Sequence, residues 1–431
     1  MLKRFLEIIL VTASIFVLDA CSAPDETLIA TPPPTPIPTT PSPLPSNTPI
    51  PPMEIPTPLP PSPTAVSVDA IPHMPAGQDL TITFIDMRDE YHGWAIGGLA
   101  GTSDHVLGTS DGGNTWVDLT PPEREAASGD TKRATGFFQD ARNAWVIYSN
   151  ASGSTPSESV VWYTHDGGIT WEPSQPLDLS GLTEFYNPSH LQLVDGQTGW
   201  LMVHVGVGMN HDYIVIYRST DGGETWERLV DPYTDTSSIM SCAKTGMLFA
   251  DEIHGWLTGD CHGVAAGVLL FSSSNGGITW EKVSLPEPAD APGLYTDMLA
   301  ACGSYDPFSF GSELAHLGVR CTNYVSDPVT TQYYLYTTQD GGSSWESSTY
   351  PGVGLSFVTA DTGWALSQSI ERTTDGGQTW TRMSNVTWEV TVDFIDEQTG
   401  WGVATADGQV ALVKTSDGGV IWMQLRPTIR Q

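Results

Sequence analysis

Positive charge is scarce in this chain. Against 50 Asp and Glu stand 17 Lys and Arg, for a formal net charge of −33 at pH 7. Phosphate binding draws on clusters of Lys and Arg, so nucleic acid is excluded as a partner. Cysteine is scarce too: there are five, and no CxxC spacing marks a compact metal or redox site. No apolar run reaches the roughly 20 residues that a membrane-spanning helix needs. The stretch from Ile8 to Leu18, behind Lys3 and Arg4, has the dimensions of an export signal instead.

Leu18-Asp19-Ala20-Cys21 resembles a bacterial lipobox, in which Cys21 is acylated and becomes the mature N-terminus. Asp19 is unusual inside such a box; the alternative is an ordinary cleaved signal with an incidental Cys. From Ser22 to Thr64 the chain is mostly Pro, Thr and Ser, which cannot build a core. Polyproline II rises about 3.1 Å per residue, so this stalk would hold a domain on the order of 100 Å from its anchor. The expected setting is therefore exported and lipid-anchored, outside the cytoplasmic membrane or at the cell surface.

What the chain has in abundance is one short phrase in seven copies: SDGGNTW from Ser110, HDGGITW from His165, TDGGETW from Thr220, SNGGITW from Ser274, QDGGSSW from Gln339, TDGGQTW from Thr374 and SDGGVIW from Ser416. Such self-similarity marks a propeller or solenoid. Asp or Asn before Gly-Gly supplies the positive φ of a tight hairpin, and the carboxylate can accept from the turn's own N–H groups. Upstream of nearly every copy an apolar run, an acidic turn and Gly-Trp or Ala-Trp form a second hairpin, as in FADEIHGWLTG around Trp256. Two hairpins per repeat give four antiparallel strands, A to D. In the first repeat, A should end at Phe84, B open at Trp94, C stop before Asp111 and D carry Trp116. Thirteen of the 15 tryptophans occupy the two phrases and should pack between and within the repeats.

With these phrases the chain resembles the Asp-box, or bacterial neuraminidase repeat, propellers, whose pattern is Ser/Thr-x-Asp-x-Gly-x-Thr-Trp. The pairing of Gly-Trp with Asp-Gly-Gly-x-Thr-Trp is most similar to the photosystem II assembly and stability factors. The resemblance implies an all-β, seven-bladed propeller with Asp boxes on the C–D turns, opposite the usual ligand face. Asp111, Asp166, Asp221, Asn275, Asp340, Asp375 and Asp417 are then structural turn residues. It also implies a role in binding another protein at a membrane. The assembly factors meet their partner through an arginine-rich surface, however, and this chain has no Arg cluster. Sialidases in the same group need an arginine triad opened by Arg-Ile-Pro. That tripeptide is absent here, and Arg88 and Arg142 fall in A–B turns.

Apart from Cys21 there are Cys242, Cys261, Cys302 and Cys321. Both successive pairs are 19 residues apart and flank equivalent hairpins. Four cysteines permit three pairings, and the parallel placement favours Cys242 with Cys261 and Cys302 with Cys321. An oxidising exterior makes disulfides the expected outcome.

Chemistry, if present, belongs to the D–A and B–C loops. These are long in repeats one to five and short in six and seven, which predicts a lopsided face. His204, His211 and Asp212 share one loop and are candidate metal ligands, although no third ligand at defined spacing joins them. Glu184, Tyr186 and His190 share another, with Asp231, Asp235, Asp290 and Asp297 in its neighbours. A glycosidase needs two carboxylates roughly 5 to 9.5 Å apart, and the sequence cannot supply that distance. No metal or cofactor is expected.

The organisation read from the sequence is a signal over 1–20, a lipidated Cys and stalk over 21–64, a connector over 65–78, the propeller over 79–425 and a tail over 426–431. Within the connector, AVSVDAI from Ala65 alternates like a strand and could join an outer edge. The favoured function is a non-enzymatic, membrane-anchored binding or assembly module for a protein or peptide. A carbohydrate-active enzyme or glycan-binding protein is the alternative.

Overall fold

The computed structural model describes residues 69–127, 129–234, 238–261, 267–296, 300–324 and 326–430. Cys21, the export signal and the stalk lie outside these residues, as do Asp235 and Asp297. Ala65 to Val68 lie outside as well, while the adjoining Ala70 forms a single antiparallel bridge with Arg124.

The turn phrase determines the local structure. In the first copy Gly112 and Gly113 have φ of 74° and 90°, a region in which L side chains are strained. The Thr109 hydroxyl donates to Asp111 Oδ1 at 3.0 Å and accepts from Gly113 N at 3.1 Å. Asp111 in turn accepts from Thr115 N at 2.9 Å and from the Thr115 hydroxyl at 2.6 Å. Where Asn275 replaces Asp, its Oδ1 accepts from Thr279 N at 2.9 Å and its Nδ2 donates to the Thr279 hydroxyl at 2.7 Å. An amide thus closes the same turn, so the turn needs no negative charge.

Among the described residues the strands form successive antiparallel A-B-C-D sets over 81–118, 132–173, 187–230, 243–282, 300–349, 354–385 and 389–424. One pairing, Asp260 with Gly303, joins the fourth and fifth sets into a sheet of eight strands. The single helical element described is a 3-10 turn, Ser238–Met240. The fold is all-β, and four-stranded antiparallel sheets in sequential order are the pattern of a β-propeller.

Neighbouring sets are held together by the tryptophan at the start of strand B. Trp145 Nε1 donates to Gly222 O at 2.7 Å, Trp200 to Gly276 O at 2.9 Å, and Trp364 to Gly418 O at 3.0 Å. Each acceptor is the first Gly of the next set's turn phrase. The second Gly provides the clearance: a Cβ at Gly223 would stand 2.7 Å from Trp145 Nε1. The indole also stacks on the aromatic residue ending strand A of the next set, as Trp200 does on Phe249 (3.7 Å, 3°) and Trp364 on Phe394 (3.5 Å, 1°).

That packing relocates the end of the first strand A, which runs Thr81–Met87. Met87 takes the place that Phe249 and Phe394 take elsewhere, seven residues before the strand B tryptophan. Phe84, expected at that end, follows a bulge at Ile82 and is 42% exposed.

The last set meets the first through the same device, with Trp401 Nε1 donating to Gly112 O at 2.9 Å. Strand A of the last set contributes Asp393 Oδ2, which accepts from Met87 N at 2.6 Å. All four strands of the last set come from the C-terminal part of the chain. Residues Thr428–Ile429, expected in a tail, instead pair in parallel with Thr115 and Trp116 on the open edge of strand D in the first set. Arg430 N then donates to Trp116 O at 2.8 Å. An edge strand presents unpaired N–H and C=O groups, and the chain end satisfies them. The disulfides join Cys242 to Cys261 and Cys302 to Cys321.

His316 stands where the other sets carry tryptophan. It is 1% exposed, with Nδ1 2.9 Å from the Thr337 hydroxyl and Nε2 2.7 Å from Ala360 O in the next set. Burial holds its imidazole below the ordinary 6.5, although Ala360 O and Asp361 oppose the shift.

Two outcomes follow from these junctions. Trp401→Phe keeps a ring but removes the N–H, leaving the Gly112 carbonyl without its donor, and should cost about 1–3 kcal/mol in urea unfolding. Replacing Phe84, which is largely solvent-facing and meets the second set only at the Phe138 ring (centroids 6.1 Å apart), should cost less. At pH above 6.5 His316 is neutral in both folded and unfolded chains. As pH falls below that value the unfolded chain takes up the proton first, so stability is lost toward acid. Unfolding midpoints of wild type and His316→Gln at pH 7.5 and pH 5 should show a shallower acid loss in the variant.

Candidate functional site

The A–B and C–D turns lie at one end of every set, and the B–C and D–A connections at the other. Arg88 and Arg142 occupy A–B turns, where Arg88 N donates to His92 O at 2.9 Å and Arg142 N to Asp140 Oδ1 at 2.7 Å. The seven turn-phrase Asp and Asn side chains are occupied within their own turns at this end. Turn bonds hold these carboxyls below the ordinary range, most clearly at Asp375, lowered to about 2 chiefly by the Thr379 hydroxyl.

Two concavities lie at the opposite end among the described residues. Over the third and fourth sets lies a cavity of about 450 Å³, whose lining includes His204, His211, Asp212, Lys244 and the Cys242–Cys261 bridge. Its wall is the long hairpin of Gly199–Gly208 and His211–Ser219, with Val207 78% and Met209 98% exposed at the tip. The three residues named from one loop thus do converge here. His204 Nδ1 lies 2.9 and 3.0 Å from the two oxygens of Asp212, and Lys244 N donates to Asp212 Oδ2 at 2.8 Å. No group of three or more metal-ligating side chains forms among the described residues.

Lys244 was not singled out by sequence reasoning. It is buried, its Nζ donates to Cys242 O at 2.8 Å and Ser241 O at 2.9 Å, and burial pushes its ammonium down to about 8. Its signal was rarity, since the chain has few lysines and this one sits two residues from a bridged Cys.

The other candidates disperse. Tyr186 is fully buried and donates to the Ser159 hydroxyl at 2.8 Å, so it is a core residue. Glu184 is exposed beside Gly206. His190 Nε2 pairs with Asp306 at 2.9 Å, Asp231 with Arg228 at 3.3 Å, and Asp260 with Arg320 at 3.0 Å. Asp290 lies in an exposed turn. The two carboxylates that line this cavity, Asp212 and Asp260, are therefore already held by His204 and Arg320. A glycosidase requires a different arrangement, one carboxyl kept protonated and a second free to act.

The second concavity spans the sixth and seventh sets, where the B–C connections are short. A cavity of about 1120 Å³ on the loop face shares Val386, Trp388 and Ala406 with one of about 510 Å³ that continues between the two sheets. Together they make a trough from the loop face to the outer rim. Among the described residues its only charged lining residues are Glu389 and Asp407, and no Lys, Arg or His lines it. Trp388 sits edge-on to Trp422, with ring centroids 6.0 Å apart and planes at 81°. Sequence reasoning passed over Trp388, yet only it and Trp162 fall outside the two repeated phrases. Trp162 has a structural use, donating to Glu123 Oε2 at 2.9 Å.

Two segments of the chain, 162–173 and 217–228, match the BNR/Asp-box repeat. No curated protein matches the chain. Among solved structures the chain is similar to YCF48 bound to a D1 peptide, at 16% identity over 82% of this chain and 99% of that one, with a TM-score of 0.49. It is also similar to the polysaccharide lyase Uly1, at 11% identity over 78% and 90% with a TM-score of 0.50. A puromycin-hydrolysing peptidase of Mycobacterium tuberculosis matches at 12% identity over 84% of this chain and 56% of that one, also at 0.50. At such identity the two structures at 0.50 bear on the fold alone: the chain carries BNR/Asp-box repeats in an all-β, propeller-type architecture.

Proposed function

We propose that the protein is an exported, non-enzymatic binding or assembly module. Its seven sets close into a seven-bladed propeller, Cys21 carries the lipid anchor, and the loop face engages a protein or peptide partner at the envelope. The observation that carries this reading is the trough over the sixth and seventh sets. It is long, open and lined mainly by apolar and uncharged side chains around Trp388, the arrangement of a protein-recognition surface with an apolar centre and polar rim. The paired state of the carboxylates over the third and fourth sets speaks against hydrolysis there. One feature favours the alternative of glycan binding: a partly exposed indole among Thr387, Thr391 and Gln368 can stack on a sugar ring.

The test uses the full chain in its native membranes, with a photo-cross-linking residue in place of Thr387. A single protein adduct, lost when Trp388→Ala is added, is the expected result. A heterogeneous polysaccharide adduct would instead establish the glycan reading, and no adduct of either kind would remove the trough from consideration. In the same cells Cys21→Ser should move the protein from the membrane to the soluble fraction; retention in the membrane would exclude Cys21 as the anchor.

A further inference from the structure

We infer that the trough takes an extended, cationic polypeptide segment, which adds as a strand to the outer edge of strand C in the seventh set and places a Lys or Arg over Trp388. This rests on the reading of the trough as the binding face, and it names the partner's chemistry.

The first support is an unfinished strand edge. Strand C of the seventh set, Gln409–Thr415, pairs along its whole length with strand B, Gly400–Ala406. On its outer side strand D is only Met423–Gln424 and reaches Lys414 and Val413, with Leu425 N donating to Leu412 O at 2.8 Å. Backbone groups of alternate residues point the same way, so Val410 presents the next outward N–H and C=O. The residue that would continue strand D opposite it is Pro427, which has no N–H to give. Its carbonyl is turned to Leu80 N at 3.3 Å as the chain departs for the first set. The edge thus stays open beside Gln409 and Ala411, which line the outer part of the trough. Strand addition at such an edge is a recurrent way of binding extended peptides.

The second support is charge. Glu389 and Asp407 are both exposed, and neither forms an ion pair among the described residues. A second copy of this chain, at −33, would be repelled, and so would an acidic polymer. A cationic segment is complementary. The third support is how this chain treats its other indoles: Lys414 lies over Trp401 at 4.5 Å, and Arg218 and Arg372 lie over Trp200 and Trp364 at 5.6 Å each. Trp388 has no such cation among the described residues, and a ligand can supply one.

The experiment measures binding of labelled peptides to the purified full chain by fluorescence anisotropy. The probes are an eight-residue alternating Lys–Val peptide, its Glu–Val counterpart, and the Lys–Val peptide N-methylated at alternate residues. The Lys–Val peptide should bind, more weakly as salt is raised. Trp388→Ala should weaken it by about tenfold, and Glu389→Gln with Asp407→Asn should flatten its salt dependence. Backbone methylation should abolish binding while leaving the protein untouched, which tests strand addition without a substitution in strand C. Equal binding of the Glu–Val or methylated peptide, or indifference to Trp388→Ala, would overturn the inference. If the Lys–Val peptide fails to bind while cross-linking from position 387 still captures a protein, this inference falls and the wider function stands. If both fail, both fall.

Discussion

The structure depends on one repeated contact, the strand B indole packed against the neighbouring set, where at four of the seven junctions it reaches a glycine carbonyl. A four-stranded antiparallel sheet has two faces to cover and two edges to protect, and a single repeat cannot bury its apolar faces alone. Here six of the seven sheets gain a neighbour through a large apolar ring whose N–H favours an acceptor when buried; Trp94 finds Asp140 O at 2.8 Å, and Trp256 finds none among the described residues. At the other four the turn phrase offers that acceptor and also clears a path to it, because its two glycines carry no Cβ. The phrase therefore serves twice, reversing the chain within its own set and receiving the tryptophan of the set before.

The same contact explains residues that look unrelated. Phe249, Phe394 and Met87 end their A strands where an indole lies against them. The scarce cations Arg218, Arg372 and Lys414 are placed over the outer faces of three of these indoles. Positive charge is thus largely used in holding the fold together. Little remains for the loop face over the sixth and seventh sets, which is left with two carboxylates and an indole. His316 marks the one junction where imidazole replaces indole, and its acceptor, Ala360 O, lies in an A–B turn as Asp140 O does for Trp94.

The two concavities differ in kind. Over the third and fourth sets a long hairpin, a disulfide and a buried Lys244 surround an Asp212 already occupied by His204. That is a satisfied polar network, of the sort that rigidifies a wall. Over the sixth and seventh sets the connections are short and the lining is mostly neutral, so the surface is open and holds a strand edge at its outer end. The long loops thus build a supported rampart and the short ones expose the trough.

The repeat was legible because a positive φ demands glycine, a tight turn favours Asp or Asn, and a buried indole cannot be substituted cheaply. These are local requirements, and they recur in each copy from Ser110 to Trp422. The cysteine pairing was legible for a related reason, since equal spacing on equivalent hairpins brings partners face to face. The candidate site was legible only in part. His204 and Asp212 meet because one hairpin carries both, whereas Lys244 joins them from the next set and Asp306 reaches His190 from two sets away. Met87 could not be distinguished from Phe84 until the neighbouring indole was in place. Nor could the chain end be known to pair with Thr115 and Trp116, since that contact spans more than 300 residues. By itself the sequence determined the turns, the strands and their order, which depend on neighbours along the chain. Only the tertiary structure decided which edges stay open and which charges remain unpaired, because these depend on what packing brings to them.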